Sequence, residues 1–336
     1  MNLFHFGTCC GILKIFHCRD IQSTYIEVGE SMDIAREEFM KKYRISPGQF
    51  ADSQLSWDEL REIAEDYERR QPELDRIRNE FIREYFLDRE EEMGLQSYRS
   101  RCKAAEHVVE KIVRKRIENY VKYKNLSKDN YWMFLTDLIG IRGLLLYRED
   151  WVKFHIYITG NIENAPERYI KGDSVHDYVS DGSVFMAEPP KVHIRAGDFH
   201  EIYADWIPLE HILDRKHYRS IHYIVNYRGT YIEIQIRTLF EEGWGEIDHD
   251  ILYPCQKDNP MLLEFSELLN RLSGMGDEMG SYYHRLQAVP EASFRGKRAA
   301  VSKPQTGQLH FSNHGNLASV SNVRTFQDAI DSVVRE

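Results

Sequence analysis

Residues 216–253 read KHYRSIHYIVNYRGTYIEIQIRTLFEEGWGEIDHDILY. Side chains alternate across a strand, so Ile232, Ile234 and Ile236 share one face while Glu233, Gln235 and Arg237 share the other. A half-buried strand needs its apolar face, but its wet face ordinarily carries Thr, Ser or Lys. An acid, an amide and a guanidinium in line suggest an organised polar site, although a Glu/Arg pair on a solvated strand spells the same way. Tyr223–Tyr227 supplies a partner strand, so the spacing predicts a hairpin with Thr230–Arg237. Helices are expected over Leu239–Asp250 and Pro260–Leu286, with Leu262, Phe265, Leu268, Leu269 and Leu272 as the core face of the second.

At 336 residues the chain has room for one large domain with extensions or two small ones. No apolar run approaches the roughly 20 residues that a membrane helix needs, so no membrane partner is expected. Five cysteines (Cys9, Cys10, Cys18, Cys102, Cys255) are odd in number and scattered, which suits a reducing, cytoplasmic setting better than a disulfide framework. The opening 18 residues hold a single Lys14 and no small-residue cleavage site, so a signal peptide is not expected. His5, Cys9, Cys10, His17 and Cys18 lack the paired spacing of a zinc site. The net charge of −10 argues against a general nucleic-acid binder. Residues 99–124 reverse that sign locally, with nine Lys/Arg against three Glu, and a basic island in an acidic protein suits a compact polyanion such as a nucleoside triphosphate.

Working outward, Ser56-Trp57-Asp58-Glu59 is a capping box, and Leu60, Ile63, Tyr67, Leu74, Ile77, Phe81 and Tyr85 follow at helical spacing. Pro72 in their midst predicts a helical hairpin or a kinked helix, and Gly94 closes the region. The basic island reads as a helix with Val108, Val109, Ile112, Val113, Ile117 and Tyr120 on one face, Lys111 on its flank, and Arg101 and Lys103 at or just before its first turn. Cations there oppose the macrodipole unless an anion sits between them. Arg114, Lys115 and Arg116 read as a solvated face. Asp137 and Gly140 lead into a buried strand, Ile141–Tyr147, where Asp before Gly is also ordinary turn chemistry. Asp150–Ile158 is helical in pattern. The span 159–211 holds short strand-like runs (Ser183–Ala187, Lys191–Arg195, Glu201–Trp206) and reads as a β-rich insertion or an extended sheet edge. After Val289 the chain is polar, with one short docking helix expected over Thr325–Val334. There is no internal repeat and no heptad pattern long enough for a coiled coil.

Four pieces therefore stand in order: Arg101-x-Lys103 with Lys111 beyond it, Asp137-x-x-Gly140-x-Arg142, Tyr218-x-Ser220-x-His222, and Glu233-x-Gln235-x-Arg237. Their order and spelling closely resemble the synthetase domain of the RelA/SpoT family, the alarmone synthetases, over roughly Ser97–Gln287. The resemblance implies an α+β, nucleotidyltransferase-like fold: a twisted mixed β-sheet flanked by helices, here with an N-terminal helical extension. It divides the chain into an N-terminal segment (1–95), a synthetase domain (96–288) and a polar tail (289–336). It implies pyrophosphate transfer from ATP to the ribose 3′-hydroxyl of GDP or GTP, with Mg²⁺ as cofactor. By position, Arg101, Lys103, Lys111 and Arg142 resemble the family's ATP contacts. Asp137 resembles its metal-binding aspartate, and Glu233 the glutamate that helps hold metal and activates the acceptor. Tyr218 resembles the tyrosine that stacks on guanine, Lys216 and His222 the acceptor-phosphate contacts, and Gln235 and Arg237 complete that face. His249 also falls where the family places a histidine.

The sequence departs from the family's pattern at His217, where Gly is common, at Ala104 or His107, where Ser is common, and in its long 159–211 span. Two alternatives follow: a toxin-type member that modifies the 3′ end of tRNA or an adenosine nucleotide, and an inactive nucleotide-sensing module. Oligomeric state is left open. The His176-Asp177 dipeptide resembles a hydrolase signature but lacks companion ligands, so alarmone hydrolysis is not expected.

Overall fold

The hairpin forms where the alternation places it. Ser220–Tyr227 and Thr230–Thr238 pair antiparallel from Tyr227↔Thr230 to Ile221↔Ile236. Arg228 and Gly229 between them have φ of 51° and 89°, the left-handed pair that a two-residue loop requires to match the twist of its strands. Asn226 Oδ1 accepts the Gly229 amide at 3.0 Å and braces the turn.

The structure is a computed structural model that describes residues 35–167, 169, 182–195, 198, 200–252 and 259–287. The chain divides into two units, Met1–Gln287 and Ala288–Glu336, and every described residue lies in the first. The N-terminal His and Cys residues, the His176-Asp177 dipeptide and Thr325–Val334 fall outside the described residues. Helices are α1 (Arg36–Lys42), α2 (Pro47–Asp52), α3 (Trp57–Tyr85), α4 (Glu90–Met93), α5 (Ala105–Glu118), α6 (Tyr120–Tyr123), α7 (Tyr131–Phe134), α8 (Trp151–Asn161), α9 (Glu201–Ala204), α10 (Leu239–Leu252) and α11 (Pro260–Gln287). Strands are β1 (Ser97–Cys102), β2 (Ile139–Leu145), β3 (Val184–Arg195) and β4 (Ile212–Arg215), with the hairpin as β5 and β6.

The six strands lie in the order β1-β2-β6-β5-β3-β4. The sheet is mixed, because β2/β6 and β3/β4 run parallel while β1/β2, β5/β6 and β3/β5 run antiparallel. Ile139 and Ile141, Ile232, Ile234 and Ile236, Tyr223 and Val225, and Val192 and Ile194 are buried in one core with Leu60, Ile63, Tyr67 and Phe81 of α3, Val108, Val109 and Ile112 of α5, and Trp151 and Phe154 of α8. Period-two burial of this kind leaves the alternate positions, including Glu233, Gln235 and Arg142, on the other face. Among the described residues no helix is long and apolar enough to cross a membrane.

Local chemistry accounts for the departures from expectation. The Ser56–Glu59 capping box forms reciprocally, but α3 runs through Pro72 as one helix, neither hairpin nor break. Its apolar stripe is buried on both sides of the proline, from Leu60 to Tyr85, and that shared burial outweighs one lost backbone hydrogen bond. Gly94 closes α4 with φ 68°. Residues 97–102 form β1 rather than the lead-in to α5, so Arg101 sits on an edge strand and not in a helical first turn. Ser183–Ala187 and Lys191–Arg195 join in one strand across Pro189 and Pro190, where register shifts at Met186/Glu188 and Glu188/Lys191 absorb the two missing donors. Glu201–Ala204 is helical, not extended, because Tyr203 and Ile207 are buried one turn apart. The core face expected for α11 is also overturned: Phe265, Leu268 and Leu272 are exposed, and the buried residues are Asn270, Ser273, Gly274, Asp277 and Ser281.

Candidate active site

Directly paired residues of a sheet share a face, so the register assembles the polar surface. Arg101 pairs with Gly140 and Arg99 with Arg142 across β1/β2; Gly140 pairs with Glu233 and Arg142 with Gln235 across β2/β6. Gln235 pairs with His222 across the hairpin, and Lys191 and His193 of β3 lie opposite His222 and Ser220. One face thus carries Arg99, Arg101, Arg142, Glu233, Gln235, Arg237 and His222.

Asp137 stands just before β2 at the end of this row. Its Oδ2 accepts from Lys103 Nζ at 2.6 Å and lies 2.5 Å from Lys111 Nζ. Lys103 is fixed by its backbone: its amide donates to the Leu138 carbonyl (2.9 Å), and its carbonyl accepts the Tyr67 hydroxyl (2.5 Å). The anion that the cations ahead of α5 call for is, within this chain, Asp137 itself. Burial pushes the Asp137 carboxyl up, but the two ammonium groups outweigh it and hold it down at about 2. Burial pulls Lys111 below its ordinary value, with Asp137 opposing and Lys103 adding to the pull.

Glu233 faces the same space. Burial and the nearby Asp137 charge push its carboxyl up, yet its hydrogen bond and attraction to His222, together with Lys111, leave it below the usual value. Its Oε2 accepts from Gln235 Nε2 at 2.7 Å, and its Oε1 lies 3.3 Å from His222 Nδ1. Arg237 Nη2 donates to the Tyr218 hydroxyl at 2.7 Å, which leaves that hydroxyl's own proton for His222 Nε2 at 2.9 Å. This assigns the His222 proton to Nδ1, where it points at Glu233, and Arg237, Tyr218, His222 and Glu233 form one chain of donors. The Arg237 guanidinium also lies 5.0 Å over the Tyr218 ring. His193 stands 4.7 Å from His222, ring to ring, and burial, then His222 and Arg215, lower it to about 4.

Arg142 donates to Glu242 (2.9 Å) and to Glu246 on α10; Arg99 pairs with the same two acids and Arg237 reaches Glu242 at 3.3 Å. Three guanidinium groups are thereby held side by side by two carboxylates one helical turn apart. Sequence reading missed Arg99, His193, Glu242 and Glu246. The signal for the acids was their i, i+4 spacing on a helix already expected, and for Arg99 its period-two step from Arg101. Two expected residues stand apart. Arg101 is exposed and has no hydrogen bond or ion pair with a described residue, and Lys216, 79% exposed, pairs with Glu267 of α11 at 2.8 Å.

A divalent cation is consistent with this donor set. Asp137 Oδ1 is buried without a hydrogen-bond partner among the described residues, and Glu233 supplies the second charge. Among the described residues no group of three or more His, Cys, Asp or Glu gathers for a metal. A cation held by these two acids would take the rest of its shell from water and substrate phosphates, as Mg²⁺ does.

Residues 100–258 match the family described as "Region found in RelA / SpoT proteins". No curated protein matches the chain. Among solved structures, that of a GTP pyrophosphokinase family protein from Streptococcus pneumoniae is 20% identical, covering 75% of this chain and 94% of its own, with a TM-score of 0.37. Small alarmone synthetase 1 from Bacillus subtilis bound to its product pppGpp is 19% identical, covering 71% of this chain and 95% of its own, with a TM-score of 0.34. The same synthetase bound to AMPCPP is 16% identical, covering 68% and 95%, with a TM-score of 0.36.

Proposed function

From the premise that residues 100–258 are a RelA/SpoT region, we propose that this polar sheet face transfers pyrophosphate from ATP to the 3′-hydroxyl of GDP or GTP. The observation that carries the reading is the pair of acids, Asp137 with a bare buried oxygen and Glu233 across the β2/β6 pairing, beside Lys103 and Lys111. Asp137 and Glu233 would hold a divalent cation, which when bound would supply charge neutralisation of the polyphosphate. Lys103 and Lys111 are placed to turn from Asp137 to phosphate oxygens when these arrive, and Arg99 and Arg142 extend the positive row along the sheet. Glu233 accepts the proton of the attacking hydroxyl as the bond from the 3′-oxygen to the β-phosphorus forms and the α–β bridge breaks, releasing AMP. His222, held by Tyr218, steadies the carboxylate that takes it. Such chemistry fits a reducing, cytoplasmic setting.

An RNA acceptor would need a basic track beside the site, for which Arg114 to Lys124 is the candidate; within it Arg114 is paired to Glu110 and Glu118, Lys115 to Glu118, and Arg116 is buried against the Leu126 carbonyl, which leaves Lys122 and Lys124 as its exposed cations. So short a track favours a nucleotide over tRNA as acceptor. Labelled ATP offered with GDP, GTP, ATP and deacylated tRNA in parallel tests the reading. Label is expected on GDP or GTP, falling by about a hundredfold or more in Asp137→Asn and in Glu233→Gln while the circular dichroism spectrum is kept. Label on tRNA or ATP alone refutes the acceptor, and no transfer at all refutes the reaction.

A further inference from the structure

The polar face does not end at the hairpin. Beyond β5 it continues onto β3 and β4, where His193 pairs with Ser220 on one side and Leu213 on the other, and Lys191 pairs with His222. Arg215, two residues after Leu213, lies on that same face, and its Nε donates to His193 Nδ1 at 3.1 Å. A ring nitrogen that accepts carries no proton, so His193, kept neutral by burial and by the cations around it, holds its proton on Nε2. The histidine therefore fixes Arg215 without repelling it. Its ring is itself fixed, 4.7 Å from His222 and 5.6 Å from Tyr218. Arg99, Arg142 and Arg237 are each held by a carboxylate, whereas Arg215 is exposed and makes no ion pair with a described residue.

The place of this cation along the sheet says what it meets. Neighbouring strands stand about 4.8 Å apart, so β3 is roughly 10 Å and β4 roughly 14 Å from β6, where Glu233 faces the reacting hydroxyl. From a 3′-oxygen at Glu233, with the base against Tyr218, the part of a nucleotide that extends so far is its 5′-phosphate chain. Lys216, the cation expected there, is turned away to Glu267 of α11 at 2.8 Å, which leaves the phosphate end of the acceptor to Arg215 and to Lys191 opposite His222. The η-nitrogens of Arg215, free of any carboxylate, present the fork that suits phosphate oxygens. Lys103, Lys111, Arg99 and Arg142 stand on the β2 side of Glu233, so the two ends of the row serve different phosphates. Resting on the pyrophosphate-transfer reading, we propose that Arg215, fixed by His193, binds the β-phosphate of the acceptor. The site then selects a nucleoside 5′-diphosphate or triphosphate over a monophosphate, and over an RNA 3′ end, whose last phosphate is a diester within the chain. His193 belongs to the long 159–211 span in which this sequence departs from the family's pattern, so the determinant is this chain's own.

Isothermal titration of GTP, GDP and GMP into the full chain, with the donor side saturated by AMPCPP, reads the subsite without turnover. The wild type is expected to bind GDP and GTP about tenfold or more tighter than GMP, as one charge-assisted contact implies. Arg215→Gln should erase that advantage by weakening GDP and GTP, with GMP changed by less than about twofold and the circular dichroism spectrum kept. His193→Phe removes the accepting nitrogen and should lose most of the advantage too, whereas His193→Asn, whose amide oxygen can stand where Nδ1 stood, should keep it. A wild type that binds GMP as tightly as GDP, or binds none of the three, overturns the proposal. So does an Arg215→Gln protein that still prefers GDP, or a His193→Asn protein no better than His193→Phe. Transfer of label from ATP by the same proteins is scored apart. Transfer to GDP with an undiminished GDP preference in Arg215→Gln sinks the subsite and leaves the reaction standing; a preference lost in Arg215→Gln, with no transfer by the wild type, sinks the reaction and leaves the phosphate subsite.

Discussion

Tyr218 is the residue whose structural role differs most from its sequence reading. The resemblance gave it a ring for a purine, whereas the structure also engages its hydroxyl, between Arg237 and His222. The two roles separate by mutation. Tyr218→Phe keeps the ring and frees His222 to turn, so kcat should fall about tenfold with KM within about twofold, while Tyr218→Ala should raise KM as well, by the roughly 1–3 kcal/mol of a lost stack. Steady-state kinetics with GDP as the varied substrate distinguishes these outcomes. His193, lowered to about 4, is neutral above pH about 5. His193→Asn should therefore change the height of the pH–rate profile between about pH 5 and 8 but not its shape, and a shifted limb would show that it titrates there. Asp137, Glu233, Lys103, Lys111, Arg142 and Arg237 were legible because each belongs to a short spaced motif, whereas Arg99 was passed over. Glu242 and Glu246 were not legible, because nothing local says which way a helix face will turn.

At the scale of elements, a buried ionic cluster ties the residue just ahead of β5 to α10 and α11. Arg219, almost fully buried, meets Asp198 at 2.5 Å, Glu241 at 2.7 Å and Asp277 at 2.9 Å. Arg219→Met leaves Glu241 and Asp277 without this cation, while Asp198 keeps Arg195 at 2.9 Å, and urea unfolding should show a loss of about 3–5 kcal/mol. Burial, then the Glu241 charge, raises Asp277 to about 7 from an ordinary 3.8. A raised carboxyl binds more protons folded than unfolded, so its contribution to stability is full below pH about 4 and declines as pH rises toward and past 7. Asp277→Asn should flatten that decline in melts taken across the range. Asp137 acts with the opposite sign: its contribution is present above its ordinary 3.8 and is lost only as pH falls through about 2. At the start of α3, Ser56→Ala removes an acceptor for the Glu59 amide and should cost about 1 kcal/mol of the same unfolding free energy. That cap was readable because it is a four-residue pattern. The inverted packing of α11 was not, because its periodicity says only that one face is apolar and the domain chose the other.

For the molecule as a whole, the chain carries a formal charge of −10 while a row of cations lines one sheet face. Binding of a nucleotide through a few phosphates should therefore depend weakly on salt, with KM for GDP or GTP rising by less than about tenfold between 50 and 200 mM KCl, whereas an RNA acceptor held by many phosphates would lose about 10³-fold or more. Titrating salt in the transfer assay separates the two acceptors without structural work. By itself the sequence determined the hairpin, the capped start of α3, the strand after Asp137 and the spaced motifs that carry Lys103, Lys111, Asp137, Arg142, Glu233 and Arg237, since periodicity, caps and spaced motifs act over a few residues. Only the tertiary structure decided that residues 97–102 become an edge strand, that Arg99, Arg142 and Arg237 share Glu242, that Lys216 points to α11, and which side of α11 faces out. These depend on sheet register and on partners up to about a hundred residues and more away along the chain, where the free energy lies in burial and charge pairing across elements and leaves no mark on any one segment.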